Sequence, residues 1–170
     1  MKIFEKGFTL LELIITLVIV TILVSVGVPS FSNMLSANRV VGAAEKMKAD
    51  MEWARTTAIK DNKNITMTTI TVGGDWCYGF DDGMAACDCN VNNSCTVGGV
   101  TKQYVDTPYG NTTLGPVGNY SLTFTARGVL TAAAPGVLTF GLDGRAANVS
   151  ITRLGRSSIC SDNLGQFPGC

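Results

Sequence analysis

The sequence predicts an α+β protein in which a long N-terminal helix, membrane-spanning in its first half and amphipathic in its second, packs on an antiparallel β-sheet head. Three observations carry this. Residues 8–28 read FTLLELIITLVIVTILVSVGV, an almost unbroken apolar run. Val40, Ala44, Met47, Met51, Ala54 and Ala58 then recur at alternating spacings of four and three, the signature of one helix face. Beyond Asp61 the chain breaks into short β-rich segments punctuated by Gly, Asn, Asp and Pro.

The first element is the apolar run. A helix from Phe8 to Val28 extends about 30 Å at ~1.5 Å per residue, which matches the hydrocarbon core of a bilayer. After Glu12 no charge appears until Arg39, whereas Lys2 and Lys6 precede the run. The positive-inside rule therefore keeps the N-terminus in the cytoplasm and exports the rest. A cleaved secretory signal fits poorly, because Ser25-Val26-Gly27 leads only into Val28-Pro29-Ser30-Phe31, with no polar mature start. Glu12 is the informative residue. A carboxylate costs about 2.5–3.5 kcal/mol at the centre of a membrane helix, so its presence calls for a partner, here another protein chain.

Lys6-Gly7-Phe8-Thr9-Leu10-Leu11-Glu12 followed by the apolar run resembles the class III signal of type IV pilins and type II secretion pseudopilins. The resemblance implies a leader of residues 1–7, cut by a prepilin peptidase after Gly7 with methylation of the new N-terminal Phe8. It also implies that Glu12 meets the N-terminal amine of a neighbouring subunit during assembly, and that Pro29 kinks or locally melts the helix. Physical chemistry supplies reasons for both. A helix N-terminus carries about half a positive charge, to which a free amine adds one, and proline removes an internal helix hydrogen bond.

From Pro29 to Asp61 the helix continues in amphipathic form, with Glu45, Lys46, Lys48, Asp50, Glu52 and Arg55 off the apolar stripe and Trp53 as a core aromatic. It should stop near Lys60-Asp61-Asn62. Residues 62–170 form the head, with strands expected at Ile65–Val72, Trp76–Phe80, Thr101–Val105, Tyr120–Thr125, Gly136–Gly141 and Ala147–Arg153. Asp143-Gly144, between VLTFGL and NVSITR, is a hairpin turn signal. Residues 53–60 (WARTTAIK), 75–80 (DWCYGF), 139–145 (TFGLDGR) and 151–156 (ITRLGR) resemble the GspH/FimT family of minor pilins and pseudopilins.

Composition narrows the chemistry. Of 170 residues none is histidine, which removes the commonest general base, every His-containing triad and the usual catalytic zinc ligand. The chain reads as a non-enzyme with no cofactor and no metal. Its six cysteines, Cys77, Cys87, Cys89, Cys95, Cys160 and Cys170, all lie in the exported part, where an even number points to disulfides. Loop length pairs Cys160 with Cys170 and leaves three pairings open among the other four. A zinc site at those four is the rival, but they lack paired C-x2-C knuckles.

Charge is balanced at 13 basic and 13 acidic residues yet sorted. Asp75, Asp81, Asp82, Asp88 and Asp106 cluster in one stretch, and Arg127, Arg145, Arg153 and Arg156 in another. Opposed patches suit packing between heads in a filament. The family resemblance adds an alternative, a DNA-binding minor pilin of an uptake pilus, in which Arg145, Arg153 and Arg156 contact phosphates. The family's Gly-Arg-x-Arg segment is only partly matched, since Gly155-Arg156 is followed by Ser157-Ser158. The function expected is a minor pilin or pseudopilin, anchored in the bacterial inner membrane with its head in the periplasm. From there it enters a type IV pilus or type II secretion pseudopilus. Its partners would be prepilin peptidase, membrane lipid and other major and minor pilins or pseudopilins.

Overall fold

The computed structural model describes residues 7–83, 86–131 and 136–170, except for the side chains of residues 26–30. The chain divides into two compact units, Met1–Leu35 and Ser36–Cys170, and one helix, α1 (Leu10–Asp61), contributes to both. Residues 36–61 of the amphipathic stretch thus belong with the head. In the first unit α1 starts at Thr9, whose hydroxyl accepts the Glu12 backbone N–H at 3.2 Å while its carbonyl accepts that of Leu13 at 3.2 Å. Thr9-Leu10-Leu11-Glu12 is a capping-box sequence, and Glu12 places its negative charge in the first turn, where the helix dipole favours it.

In the second unit, Val40, Ala44, Met47, Met51, Ala54 and Ala58 are all at 1% exposure or less, so the stripe read from the sequence is the helix's buried face. The helix ends where expected. Asn62 takes the left-handed conformation (φ 51°), its N–H reaches the Ile59 carbonyl, and Lys63 N–H bonds the Ala58 carbonyl at 3.1 Å. That is a Schellman closure, which satisfies two carbonyls otherwise left without partners.

The strands are β1 (Ile65–Val72), β2 (Asp75–Asp81), β3 (Thr96–Val97), β4 (Val100–Thr101), β5 (Gln103–Val105), β6 (Thr113–Gly115), β7 (Gly118–Phe124), β8 (Val137–Leu142), β9 (Arg145–Ile151) and β10 (Ser157–Cys160). They form two antiparallel four-stranded sheets, ordered β5-β2-β1-β7 and β10-β9-β8-β6, plus the hairpin β3-β4. All six expected strands are present, although Thr101–Val105 is broken between β4 and β5. Three short strands, β3, β6 and β10, add to them. The Asp143-Gly144 turn joins β8 to β9 with Leu142 paired to Arg145, and both turn residues have positive φ, 51° and 75°. Those angles fit the right-handed twist of the flanking strands.

Both sheets and α1 share one core. Phe80, Phe124 and Phe140 are fully buried, and the Trp76 ring meets Phe140 edge-on at 5.1 Å between the sheets. Trp53 sits at the margin of this core, half-buried, with its ring edge-on to Phe80 at 6.0 Å and the Lys102 ammonium over it at 4.6 Å. Strand β2 is buried on both faces. Trp76, Tyr78 and Phe80 face the core, whereas Cys77 and Gly79 lie beneath the disulfide loop. A Cβ at Gly79 would fall 2.3 Å from the Cys95 sulfur, so only glycine lets the loop lie this close. The bridges are Cys77–Cys89, Cys87–Cys95 and Cys160–Cys170. The last is the pairing expected from loop length, and the first two pick one of the three pairings left open. Each closes a short loop and contributes about 3 kcal/mol in the chain-entropy account.

Candidate assembly site

The site begins at the N-terminus. Gly7 is exposed with open space around it, and Phe8 is 81% exposed. From Leu10 to Val24 the large apolar side chains are all at least 49% exposed, so the helix offers an apolar surface on every side. Soluble helices hide such surface, so this one needs lipid or other helices around it. The polar groups within it are neutralised locally. Thr16, Thr21 and Ser25 donate their hydroxyls to the Leu13, Leu17 and Ile22 carbonyls at 2.8, 2.7 and 2.8 Å. That arrangement leaves no hydroxyl proton seeking water in an apolar medium.

Glu12 differs from them. It carries the only charge between Phe8 and Ser25, its side chain is exposed, and among the described residues its carboxylate has no ion-pair partner. Among the described residues no helix is long and apolar enough to cross a membrane. The described apolar stretch of α1, Leu10–Ser25, is shorter than the ~20 residues a span needs. The remainder of the expected span and Pro29 fall on residues 26–30, whose side chains lie outside the described residues. Residues 1–6 of the expected leader also lie outside them.

The head contains a polar cluster that sequence reasoning missed. Asp50, off the apolar stripe, is nevertheless buried at 8% exposure. Its carboxylate accepts the Tyr78 hydroxyl at 2.7 Å and the Lys46 ammonium one turn back. Lys46 also lies 3.9 Å from the centre of the Tyr104 ring. Burial, and then the adjacent Asp50 carboxylate, push the Tyr78 phenol far above its usual value of 10.0. Burial opposes the charge on Lys46, yet its bond to Asp50 and that residue's charge leave it raised.

Both groups keep their protons to higher pH in the folded protein than in the unfolded chain. Their contribution is therefore complete below about pH 10 and is lost as pH rises beyond it. Tyr78→Phe should lower stability by about 1.5–3 kcal/mol at pH 8, the worth of a hydrogen bond to a charged group. It should also flatten the alkaline decline, as urea unfolding at pH 8 and pH 10.5 would show. An unchanged slope would remove Tyr78 from the account.

Of the three arginines expected to act together, Arg145 is held apart from the other two. Arg145 opens β9, while Arg153 and Arg156 flank the turn after its far end. Seven residues of strand at ~3.3 Å each put about 20 Å between the two positions. The acidic stretch is largely occupied with its own backbone. Asp81 accepts the Gly83 N–H at 2.7 Å and that of Thr96 at 3.3 Å, and Asp88 accepts that of Asn90 at 2.9 Å. Asp82 accepts the Gly98 N–H and the Lys63 ammonium, both at 3.2 Å, and these bonds hold its carboxyl below the usual range.

An N-terminal helix with an exposed apolar half, whose second half packs on an antiparallel head, defines a pilin-like protein. Residues 43–155 match the family described as Type II transport protein GspH, and residues 4–28 match the prokaryotic N-terminal methylation motif. The chain belongs to the GspH family and is a minor pilin or pseudopilin. Its fold is similar to that of the Pseudomonas aeruginosa type IV minor pilin FimU, at a TM-score of 0.54 and 21% identity over 72% of this chain and 88% of that one. A second crystal form of FimU aligns at a TM-score of 0.49 and 21% identity, over 69% of this chain and 90% of that one. No curated protein sequence matches the chain.

Proposed function

We propose that the chain is a structural subunit of a type IV pilus or type II secretion pseudopilus, without catalytic activity. In this reading residues 1–7 are removed after Gly7 and the new terminus at Phe8 is methylated. Residues 8–28 hold the protein in the bacterial inner membrane, N-terminus inside and head in the periplasm, until it joins other pilins or pseudopilins in the fibre. The observation that carries the reading is the apolar, exposed helix of the first unit with Glu12 as its one charge.

The energetics favour assembly over residence in lipid. In hydrocarbon an unpaired carboxylate is costly. Beside the amine and helix dipole of an adjacent subunit it gains an attraction that strengthens as the dielectric constant falls. Only one axial register brings the two charges together, so the pair would also set the offset between subunits. Glu12→Ala should leave leader removal intact and lower incorporation into isolated fibres at least tenfold, measured by immunoblot of fibre and membrane fractions. Incorporation at the unaltered level would contradict the role given to Glu12.

A further inference from the structure

The two ends of the β5-β2-β1-β7 sheet carry opposite chemistry. At the Val72 end of β1 a cleft of about 480 Å³ opens on the sheet's outer face. Register explains its composition. Val72 pairs with Asp75, Ile70 with Cys77 and Cys77 with Val105, so these five residues share one face. Val72 is 70% exposed and Val105 43%. Asp75 of β2 and Asp106, just past β5, supply the charge. Unlike Asp81, Asp82 and Asp88, neither carboxylate has a hydrogen bond or ion pair among the described residues. No Lys or Arg among those residues lines the cleft, and Arg39 of α1 donates to the Gly110 carbonyl at 3.5 Å.

The opposite end, about 23 Å along β1 at ~3.3 Å per residue, is basic. There α1 leads into β1, and the loop after β7 meets the turn after β9. Gly128 packs on Ile59 and Arg55, Gly155 on the Gly128 carbonyl, and the Leu130 N–H bonds the Arg153 carbonyl at 3.0 Å. These contacts bring the exposed Lys60, Arg127 and Arg156 to the same end as Ile59 and Leu154, which are 47% and 62% exposed. Against the three cations stands Asp61. Lys63 is paired with Asp82, and Glu52 with Lys48 and the Ser157 hydroxyl.

Each end thus combines exposed aliphatic side chains with charge of one sign, and the two cannot meet within one head. Joining unlike ends of two heads removes the aliphatic surface from water and gives each charge a partner. A copy that docks by its basic end keeps its own acidic end open to a third, so the contact is heterologous and does not close into a dimer. We infer that the head associates head to tail with a second copy of this chain, the acidic cleft beside Val72 and Val105 receiving the basic end around Leu154. The patches are small, so a single contact is weak. The inference rests on the fibre reading for the setting in which heads meet, not for the contact itself.

The test is sedimentation velocity of the full chain in an uncharged detergent across a range of protein concentrations. The unaltered protein should form dimers and longer species that recede as salt is raised. Asp75→Asn with Asp106→Asn should weaken association about fivefold or more, and so should Arg127→Gln with Arg156→Gln. None of the four side chains is buried, so melting temperatures should not change. Mixing the two double variants should restore dimers but not longer species, because one intact basic end then meets one intact acidic end. This readout needs neither leader removal nor fibre entry, so its failure is distinct from failure of the fibre reading. Monomer at every concentration, loss in only one double variant, or no recovery on mixing would overturn the inference.

Discussion

Gly7→Ala should abolish maturation, leaving the whole population at precursor mass. The substitution makes this a clean test because it is silent in the folded chain. A Cβ at Gly7 meets nothing within 4 Å, and the residue lies ahead of the first turn of α1, so neither packing nor helix formation changes. Any effect therefore arises where an outside enzyme reads the backbone around the scissile bond. Because the apolar run remains, the uncut protein should still enter the membrane and should fail at the next step, where the proposed function pairs a free amine at Phe8 with a neighbour's Glu12. On the proposed function, Gly7→Ala and Glu12→Ala should block successive stages, the first with precursor mass and the second with mature mass. Intact-mass measurement of membrane fractions distinguishes them, and mature-size Gly7→Ala protein would show that cleavage lies elsewhere.

The second large effect is expected at Gly155, in the head. Three distant segments meet there: Arg55 of α1 donates its Nε–H to the Gly128 carbonyl at 2.9 Å, and Gly155 lies against both. With φ at 70°, a Cβ on residue 155 would fall 2.3 Å from the Gly128 carbonyl oxygen and 3.0 Å from Arg55. Gly144 supplies the control, since its φ of 75° is similar but a Cβ there meets nothing within 4 Å. Gly144→Ala should cost only the left-handed backbone penalty, about 1–2 kcal/mol. Gly155→Ala adds a backbone collision that cannot be relieved by a rotamer change, for a total of about 3 kcal/mol or more. In a head of this size the latter corresponds to a melting temperature lower by about 10 °C. Equal losses in the two variants would mean that the close approach of Gly155 to Gly128 contributes nothing.

Much of this architecture is legible in the residues because it depends on local periodicity. The stripe from Val40 to Ala58 identifies the buried face of α1, and the Asp143-Gly144 turn fixes the β8-β9 hairpin. Strands β3, β6 and β10 escape because they are two to four residues long and have no alternation to read. In β6, for example, Leu114 is the sole buried residue. The capping-box spacing of Thr9 and Glu12 is also legible in the residues. The burial of Asp50 was not readable at all, since its partner Tyr78 lies on a strand 28 residues away. The separation of Arg145 from Arg153 is hidden for the opposite reason: neighbours along the chain are held apart when a whole strand intervenes. Disulfide pairing between Cys77, Cys87, Cys89 and Cys95 depends on the path of a loop, which spacing alone does not determine.

The proposed function requires that this chain be processed at its N-terminus and become part of a fibre. Mass spectrometry of the N-terminal peptide, in sheared pili or purified pseudopili, tests it most directly. The expected peptide begins at Phe8 with a methylated amine and is enriched in the fibre fraction relative to the membrane. A chain that retains residues 1–7 and is confined to the membrane fraction would contradict the claim.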